Sequence, residues 1–137
     1  MTFVLELQQQ QIARFQAIVR PLLMGRGEWG TARYRFGGLE VWARVSPTMR
    51  SGGLYLYWVG AHRPGHGEGA AGMRSLTAVA DEARVALALH ADPCGTKVME
   101  RDVLRAWYER FGFVARSEHL VPYWPGRLGL AMCRKPG

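Results

Sequence analysis

The chain has 137 residues, of which 48% are hydrophobic, and it carries a formal net charge of +7. This length predicts a single domain over residues 1–137 with a buried core, and the apolar runs are too short to cross a membrane. The N-terminus lacks the basic start and apolar middle of a signal peptide, so we expect a cytoplasmic protein. The positive charge favours anionic partners in general; because the arginines are scattered, a nucleic-acid partner is disfavoured but not excluded.

The cysteines and histidines do not predict a metal site. Cys94 and Cys133 show no metal-ligand spacing and no nucleophile motif, so both are interpreted as reduced thiols. His62 and His66 have the spacing of a helical pair but stand among glycines. We therefore expect neither a bound metal nor a covalent acyl-enzyme.

The first half of the chain predicts one helix followed by antiparallel strands. An amphipathic helix is expected over residues 8–20, where Pro21 ends or kinks it. Residues 31–36 and 39–45 alternate around a Gly-Gly connector, which predicts a β-hairpin. Residues 54–60 are dense in aromatic and β-favouring types and predict a strand buried on both faces. The apolar face of the helix would comprise Ile12, Phe15, Val19 and Leu22.

The second half predicts alternating helices and strands. They are a helix over 72–84, a buried strand over 85–90, a helix over 101–113 and a final strand over 127–135. Asp102 is the expected N-cap of the second helix, and Gly112 its left-handed C-terminal residue. Val103, Leu104, Trp107, Tyr108 and Phe111 would line its apolar side. This order of helices and strands predicts an α/β layered domain with helices flanking a mixed, mostly antiparallel central sheet.

A glycine-rich segment, AHRPGHGEGAAG, joins the strand at 54–60 to the helix expected from Gly72. Glycines admit close backbone approach, and a helix start offers unpaired N–H groups and a positive dipole end, so the junction predicts a phosphate site. The segment has no P-loop motif. Gly67 to Gly72 match G-x-G-x-x-G, with Asp92 near the acidic position of a dinucleotide fold, but antiparallel strands argue against that fold. A plain surface loop is the alternative.

This order of elements resembles that of the GNAT-type N-acetyltransferases. The ending WYERFGF at residues 107–113 is similar to the family's L-Y-E-K-L-G-F, and the strand LYLYWV, helix GMRSLTAVADEA and strand VALALHA follow the family's order. The family's loop, [QR]-x-x-G-x-[GA], binds the pyrophosphate of acetyl-CoA at a helix start. The resemblance therefore implies a GNAT-like acyl-CoA N-acyltransferase fold, with a central strand that splays from its neighbour and acetyl-CoA as co-substrate.

Two alignments of the glycine segment with the family loop stay open. Anchored on the helix, residues 70–72 occupy the G-x-G and Gly67 replaces the Gln or Arg. Anchored on the strand, His62 replaces the Gln or Arg, and about five additional residues precede the helix. In both alignments Arg101 replaces an Asn of the family seven residues before the tyrosine.

The resemblance also implies roles for individual residues. Tyr108 would protonate the departing thiolate, because a phenol and a thiol have similar pKa values; packing in the core is its alternative role. Glu40 or His62 would remove the proton of the attacking amine, and a backbone N–H near Val59 or Gly60 would polarise the carbonyl. The expected cofactor-binding residues are Val59, Gly60, Arg63, Gly65, Gly67, Gly69, Ala70, Ala71, Gly72, Met73 and Arg101.

The sequence thus predicts an acetyl-CoA-dependent N-acetyltransferase that acts on a small-molecule or protein amine in a ternary complex. The alternative is a catalytically inactive module of the same fold that binds an anionic or protein partner. One set of aromatic residues would line an acceptor pocket, with packing in the sheet core as the alternative: Trp42, Tyr55, Tyr57 and Trp58. Tyr123 and Trp124 would contact a substrate or a neighbouring subunit, and a homodimer stays open.

Overall fold

The computed structural model describes residues 2–46, 53–63, 65–91, 101–116 and 129–137, and of residues 2–5, 46 and 101 it describes the backbone alone. The elements are α1 (Thr2–Val19), β1 (Leu23–Arg26), β2 (Ala32–Phe36), β3 (Leu39–Ser46), β4 (Gly53–Ala61), α2 (Glu68–Ala83), β5 (Ala86–Ala91), α3 (Arg101–Glu109), β6 (Val114–Ala115) and β7 (Leu130–Arg134). None of these helices, within the residues described, is long and apolar enough to span a membrane.

The seven strands form one sheet in the order β1-β2-β3-β4-β5-β7-β6. All neighbouring strands pair antiparallel except β4 and β5, which run parallel because α2 crosses between them. The sheet is therefore mixed and mostly antiparallel, which confirms the predicted fold class.

The main core lies between the three helices and one face of the sheet. Alternation along β3 places Leu39, Val41 and Ala43 on that face, as predicted, and all three are buried. They join residues of α1, α2 and α3 in one hydrophobic cluster. A Cβ at Gly72 would lie 2.8 Å from the Phe36 carbonyl oxygen and would also overlap Leu39, so this glycine lets α2 pack directly on the β2–β3 hairpin.

The opposite face of the sheet carries a second, smaller cluster. Its buried members come from β4, β5 and β7, namely Tyr55, Ala86, Ala88 and Ala131. Tyr57 and Cys133 pack against them and are half-buried. The prediction of a strand buried on both faces thus holds for the first half of β4, whereas residues 57–61 are only half-buried or exposed.

The N-terminal predictions need two corrections. Helix α1 ends at Val19 and a 3-10 turn containing Pro21 follows, as expected, but Leu22 lies in that turn and is exposed rather than on the apolar face. Strand β1 was not predicted; it is a four-residue edge strand that contains Gly25 and exposes Leu23. Such a strand has no alternating pattern because neither of its faces is buried.

The helices of the second half begin or end at other residues than predicted. Helix α2 begins at Glu68, four residues before the expected Gly72, because packing on the sheet outweighs the poor helix propensity of glycine. Asp102 lies inside α3 and is not its N-cap, and Val103 is 55% exposed rather than on the apolar side. Gly112 has the expected left-handed backbone, with φ +93°, but α3 already ends at Glu109.

Candidate functional site

The central strands β4 and β5 separate along most of their length. Their backbones pair only between Gly53–Tyr55 and Ala86–Ala88, although β4 continues to Ala61 and β5 to Ala91. Beyond Tyr55, β4 pairs with β3 alone among the described strands. The polar backbone groups on its other edge therefore face an opening between the two strands, and this opening is the splay that the family resemblance predicts.

A β-bulge lies in β4 beside this opening. In the pairing with β3, Trp42 faces Trp58 and Ala43 faces Leu56, so Tyr57 is the extra residue. The bulge brings two aromatic rings of β4 next to Trp42, with ring centroids 6.2 Å away for Tyr57 and 5.9 Å away for Trp58. The three rings form an aromatic group on the sheet face opposite the helices.

The glycine segment makes a short turn between β4 and α2. The His62 amide donates to the Gly38 carbonyl at 2.8 Å, which attaches the turn to the β2–β3 hairpin. Gly65 and Gly67 both have left-handed backbones, with φ of +84° and +75°. A Cβ on either glycine would meet no atom within 4 Å, so both border open space. The turn thus has the bare, close-approach backbone expected of a phosphate site.

Helix α2 starts directly after this turn. Gly67 is its N-cap and provides no side-chain hydrogen bond, and the Ala71 amide donates to the Gly67 carbonyl at 3.1 Å. The amides of Glu68, Gly69 and Ala70 therefore have no acceptor within the helix. The strand-anchored alignment expected about five additional residues between the loop and the helix. Because α2 begins at Glu68, those residues belong to the helix itself.

The other predicted loop residues lie within α2 and have different surroundings. Ala70 and Ala71 belong to its first turn, whereas Gly72 and Met73 are buried. The Met73 side chain is part of the main core, and Gly72 contacts Phe36 and Leu39 of the hairpin.

Charged side chains flank the turn. The Arg63 guanidinium donates to Glu68 Oε1 through Nε at 3.0 Å and through Nη2. This hydrogen bond lowers the pKa of Glu68 and raises that of Arg63. Arg63 was predicted to contact the cofactor; in the structure it neutralises the carboxylate in the first turn of α2.

Glu40 is the centre of a polar cluster on the sheet face opposite the helices. It is 7% exposed, and its Oε2 accepts hydrogen bonds from Trp42 Nε1 at 2.6 Å and Arg33 Nε at 3.3 Å. Its Oε1 accepts from Arg33 Nη2 at 3.4 Å and lies 3.6 Å from His62 Nε2. The structure therefore brings together the two residues predicted as proton acceptors.

The surroundings of these two side chains suit them to different tasks. The Trp42 hydrogen bond, followed by those of Arg33, lowers the pKa of Glu40 against the opposing effect of burial. A carboxylate with a lowered pKa and occupied lone pairs is a weak proton acceptor but a good partner for a protonated imidazole. The His62 side chain is 41% exposed and is therefore the accessible member of the pair.

Tyr108 is a core residue, as its position on the apolar side of α3 predicted. It is 7% exposed and packs edge-on against Phe113, with ring centroids 5.6 Å apart. The neighbouring Trp107 places Cζ2 3.6 Å from where a Gly69 Cβ would be. Helix α3 thus contacts the start of α2 through Trp107. Arg101 is the first described residue of α3, at the opposite end from Glu109.

Two residues of this region, Arg33 and His90, were not predicted from the sequence. Arg33 is diagonal to Glu40 across the hairpin, so the predicted register could have identified it. His90 accepts or donates a 2.7 Å hydrogen bond between its Nδ1 and the hydroxyl of Tyr55. That contact joins β5 to β4, and no pattern within either strand indicates that they pair.

The remaining predicted residues give no further site. Within the described ranges, no group of three or more His, Cys, Asp or Glu side chains could hold a metal ion. Cys133 is a free, half-buried thiol, and burial raises its pKa. Cys94, Tyr123 and Trp124 lie outside the described residues.

The comparisons with known proteins concern the fold. No protein-family model and no curated protein matches the sequence. The chain is similar to the solved structure of the anti-CRISPR protein AcrVA5, with a TM-score of 0.51 and 16% identity over 75% of this chain and 96% of that one. It is also similar to a histone acetyltransferase HPA2 and related acetyltransferase from Corynebacterium glutamicum, with a TM-score of 0.49 and 20% identity over 95% of this chain and 75% of that one. Together with the separated β4 and β5 and the glycine turn before α2, the similarity to AcrVA5 shows that this chain has a GNAT-like fold.

Proposed function

We propose that this protein is an N-acetyltransferase that moves the acetyl group of acetyl-CoA to an amine, by direct attack within a ternary complex. One observation carries the proposal: the opening between β4 and β5 leads to a turn with two left-handed glycines and an uncapped helix start. An extended ligand with a diphosphate at one end and a thioester at the other fits such a shape. The GNAT-like fold supports the same conclusion.

The glycine turn and the start of α2 would hold the diphosphate. Gly65 and Gly67 present backbone without side chains, and the amides of Glu68, Gly69 and Ala70 point from a positive helix end. Arg63 would add charge once it exchanges Glu68 for a phosphate oxygen. The bound thioester supplies an activated acyl carbon, and the rest of the chemistry rests on side chains and amides of the protein.

The free edge of β4 would hold the reacting carbonyl. Val59 pairs with Val41, and Gly60 pairs with Glu40, on the β3 side of the strand. An N–H of this stretch that faces the opening donates to the carbonyl oxygen and stabilises the negative charge that develops there during attack. Because the strand is fixed by β3, the donor needs little reorganisation.

His62 would take the proton of the attacking amine, and Glu40 would hold the imidazole and stabilise its charged form. The amine nitrogen bonds to the acyl carbon as the carbon–sulfur bond breaks, and Tyr108 gives a proton to the departing sulfur. The acceptor, a small-molecule or protein amine, would lie against Trp42, Tyr57 and Trp58 on the sheet face opposite the helices. A single domain and a cytoplasmic location are part of this proposal.

Thermal melting with and without acetyl-CoA tests the proposal without knowledge of the acceptor. A ligand at a hundred times its Kd stabilises the folded state by about 2.7 kcal/mol, so millimolar acetyl-CoA should raise Tm by several degrees. Once an acceptor amine is identified, Tyr108→Phe should keep this shift and slow transfer roughly 10²-fold. An unchanged rate would remove Tyr108 from the mechanism.

A catalytically inactive module of the same fold is the second candidate. It is favoured by the carboxylate of Glu68, which lies in the first turn of α2 where an anion would bind, and by the net charge of +7. This candidate predicts no rise in Tm with millimolar acetyl-CoA. The melting experiment therefore separates the two functions.

A further inference from the structure

A side-chain hydrogen bond bridges β4 and β5 just where the two strands separate. The Tyr55 hydroxyl lies 2.7 Å from His90 Nδ1, and the two rings meet edge-on with centroids 5.7 Å apart. The backbone of Tyr55 pairs with Ala88, the last such pair of the two strands, and His90 stands two residues further along β5. The tyrosine side chain therefore crosses from one strand to the other beyond the last backbone pair.

This pair covers the closed end of the opening from one side. Tyr55 and His90 lie on the sheet face opposite the helices, and Tyr55 is only 1% exposed. On the helix face, the first residues past the last pair are Leu56 and Leu89, and both are buried in the main core. The end of the opening is thus bounded by an aromatic hydrogen-bonded pair on one face and by two leucines on the other.

We propose that the Tyr55–His90 pair determines the length of the acyl chain that the site accepts. The inference rests on the proposed function, which places the acyl group between β4 and β5 with its carbonyl at the free edge of β4. Val59 stands four residues from Tyr55, a span of roughly 13 Å along the strand. A two-carbon acetyl group therefore stops short of the pair, whereas a chain of about ten carbons that extends toward the closed end reaches Tyr55 and His90 and has to displace the tyrosine ring or break its hydrogen bond.

The test is a calorimetric titration with acetyl-CoA and decanoyl-CoA of the wild-type protein and of His90→Ala and Tyr55→Phe. Two methylenes of the longer chain that become buried in the space left by His90→Ala are worth about 1.6 kcal/mol, so the decanoyl-to-acetyl affinity ratio should rise roughly fifteenfold. Tyr55→Phe keeps the ring and removes the hydrogen bond, so its ratio should rise about threefold. Val114→Ala, an exposed change on β6, is the control and should leave the ratio at the wild-type value.

The outcomes separate this inference from the proposed function. If the wild-type protein binds acetyl-CoA but the ratio stays unchanged in the variants, the assignment of chain length to this pair is wrong and the function stands. If the wild-type protein binds neither compound, both fail. If His90→Ala does not fold, Tyr55→Phe alone tests the inference, because this variant keeps the aromatic ring and its packing.

Discussion

The indole nitrogen of Trp42 donates a 2.6 Å hydrogen bond to Glu40, the buried carboxylate two residues before it in β3. Residues two apart in a strand share a face, so the bond orients the indole on that face, where it stacks on Tyr57 with an interplanar angle of 18°. Arg33 completes the arrangement from β2, with its guanidinium carbon 5.6 Å from the centroid of the indole ring. The cluster therefore links β2 to β3 through side-chain hydrogen bonds, and its aromatic rings would line the candidate acceptor site.

Glu40→Ala should destabilise the fold by about 2–3 kcal/mol, because it leaves the Trp42 and Arg33 donors without their charged acceptor. Glu40→Gln should cost less, about 1 kcal/mol, since its amide oxygen can still accept from Trp42. Urea unfolding measures both free energies. Equal stability of Glu40→Ala and the wild type would show that this cluster contributes nothing to the fold.

Stability should fall in acid through Asp81, which joins α2 to β7. Arg134 Nη1 and Nη2 donate to its two carboxylate oxygens at 2.7 and 2.9 Å. The Arg134 hydrogen bond, the largest cause, lowers the pKa of Asp81 from its ordinary value of 3.8. Because the folded state has the lower pKa, the ionised carboxylate stabilises the protein fully well above pH 3.8, and this contribution is lost as the pH falls through the folded-state pKa.

Asp81→Asn provides the check, because its side chain does not titrate. The variant should be less stable than the wild type at neutral pH, and the difference should shrink below about pH 4. Chemical unfolding at pH 7 and at pH 3 measures the two differences. A difference that is the same at both values would remove Asp81 from the acid sensitivity of the fold.

Two glycines of α2 should respond in opposite ways to the same change. A Cβ at Gly72 would overlap Leu39 and the Phe36 carbonyl, so Gly72→Ala should destabilise the protein by about 1–3 kcal/mol. A Cβ at Gly69 would have its nearest neighbours at 3.6 Å, so Gly69→Ala should be neutral or stabilising by up to about 1 kcal/mol through helix propensity. Denaturant midpoints of the two variants compare their stabilities directly. Similar losses of stability in both would show that α2 does not approach the hairpin closely at Gly72.

The glycine turn should lose ligand affinity on the addition of a single methyl group. Gly67→Ala places a Cβ in the open space over the turn and costs roughly 1–2 kcal/mol of backbone strain at φ +75°. Gly37→Ala meets equally open space at φ +62° in the hairpin turn and is the matched control for strain. Titration calorimetry should show acetyl-CoA affinity reduced about tenfold by the first change and unchanged by the second. Equal losses would mean that strain, not contact with the ligand, sets the affinity.

The fold was largely predictable because its elements leave local patterns. Alternation around Gly37 gives the β2–β3 hairpin, and the apolar spacing of α1 and α3 gives two helices. The start of α2 was misplaced because glycines at 67, 69 and 72 indicate a loop, whereas α2 contains Gly69 and Gly72 and packs on the hairpin at Gly72. The edge strand β1 has no buried face and so no pattern.

The site was predictable in outline but not in its connections. Glu40 and His62 were identified separately, and their 3.6 Å approach depends on the register of β3 with β4 and on the turn that folds His62 back. The Tyr55–His90 contact depends on the parallel pairing of β4 with β5, a long-range relationship that neither strand encodes alone. Local sequence patterns therefore identify candidate site residues, but which of them contact each other depends on the tertiary fold.

The most direct measurement of the central claim is an amide chemical-shift map of the protein during titration with acetyl-CoA. If the turn and the start of α2 hold the diphosphate, the amide chemical shifts of Gly65, Gly67 and Gly69 should change most. The amide shifts of the β4 residues that border the opening should change as well. The exposed edge strand β1 should stay unchanged. Shifts confined to β1 and β2, or no shifts at millimolar ligand, would contradict the account.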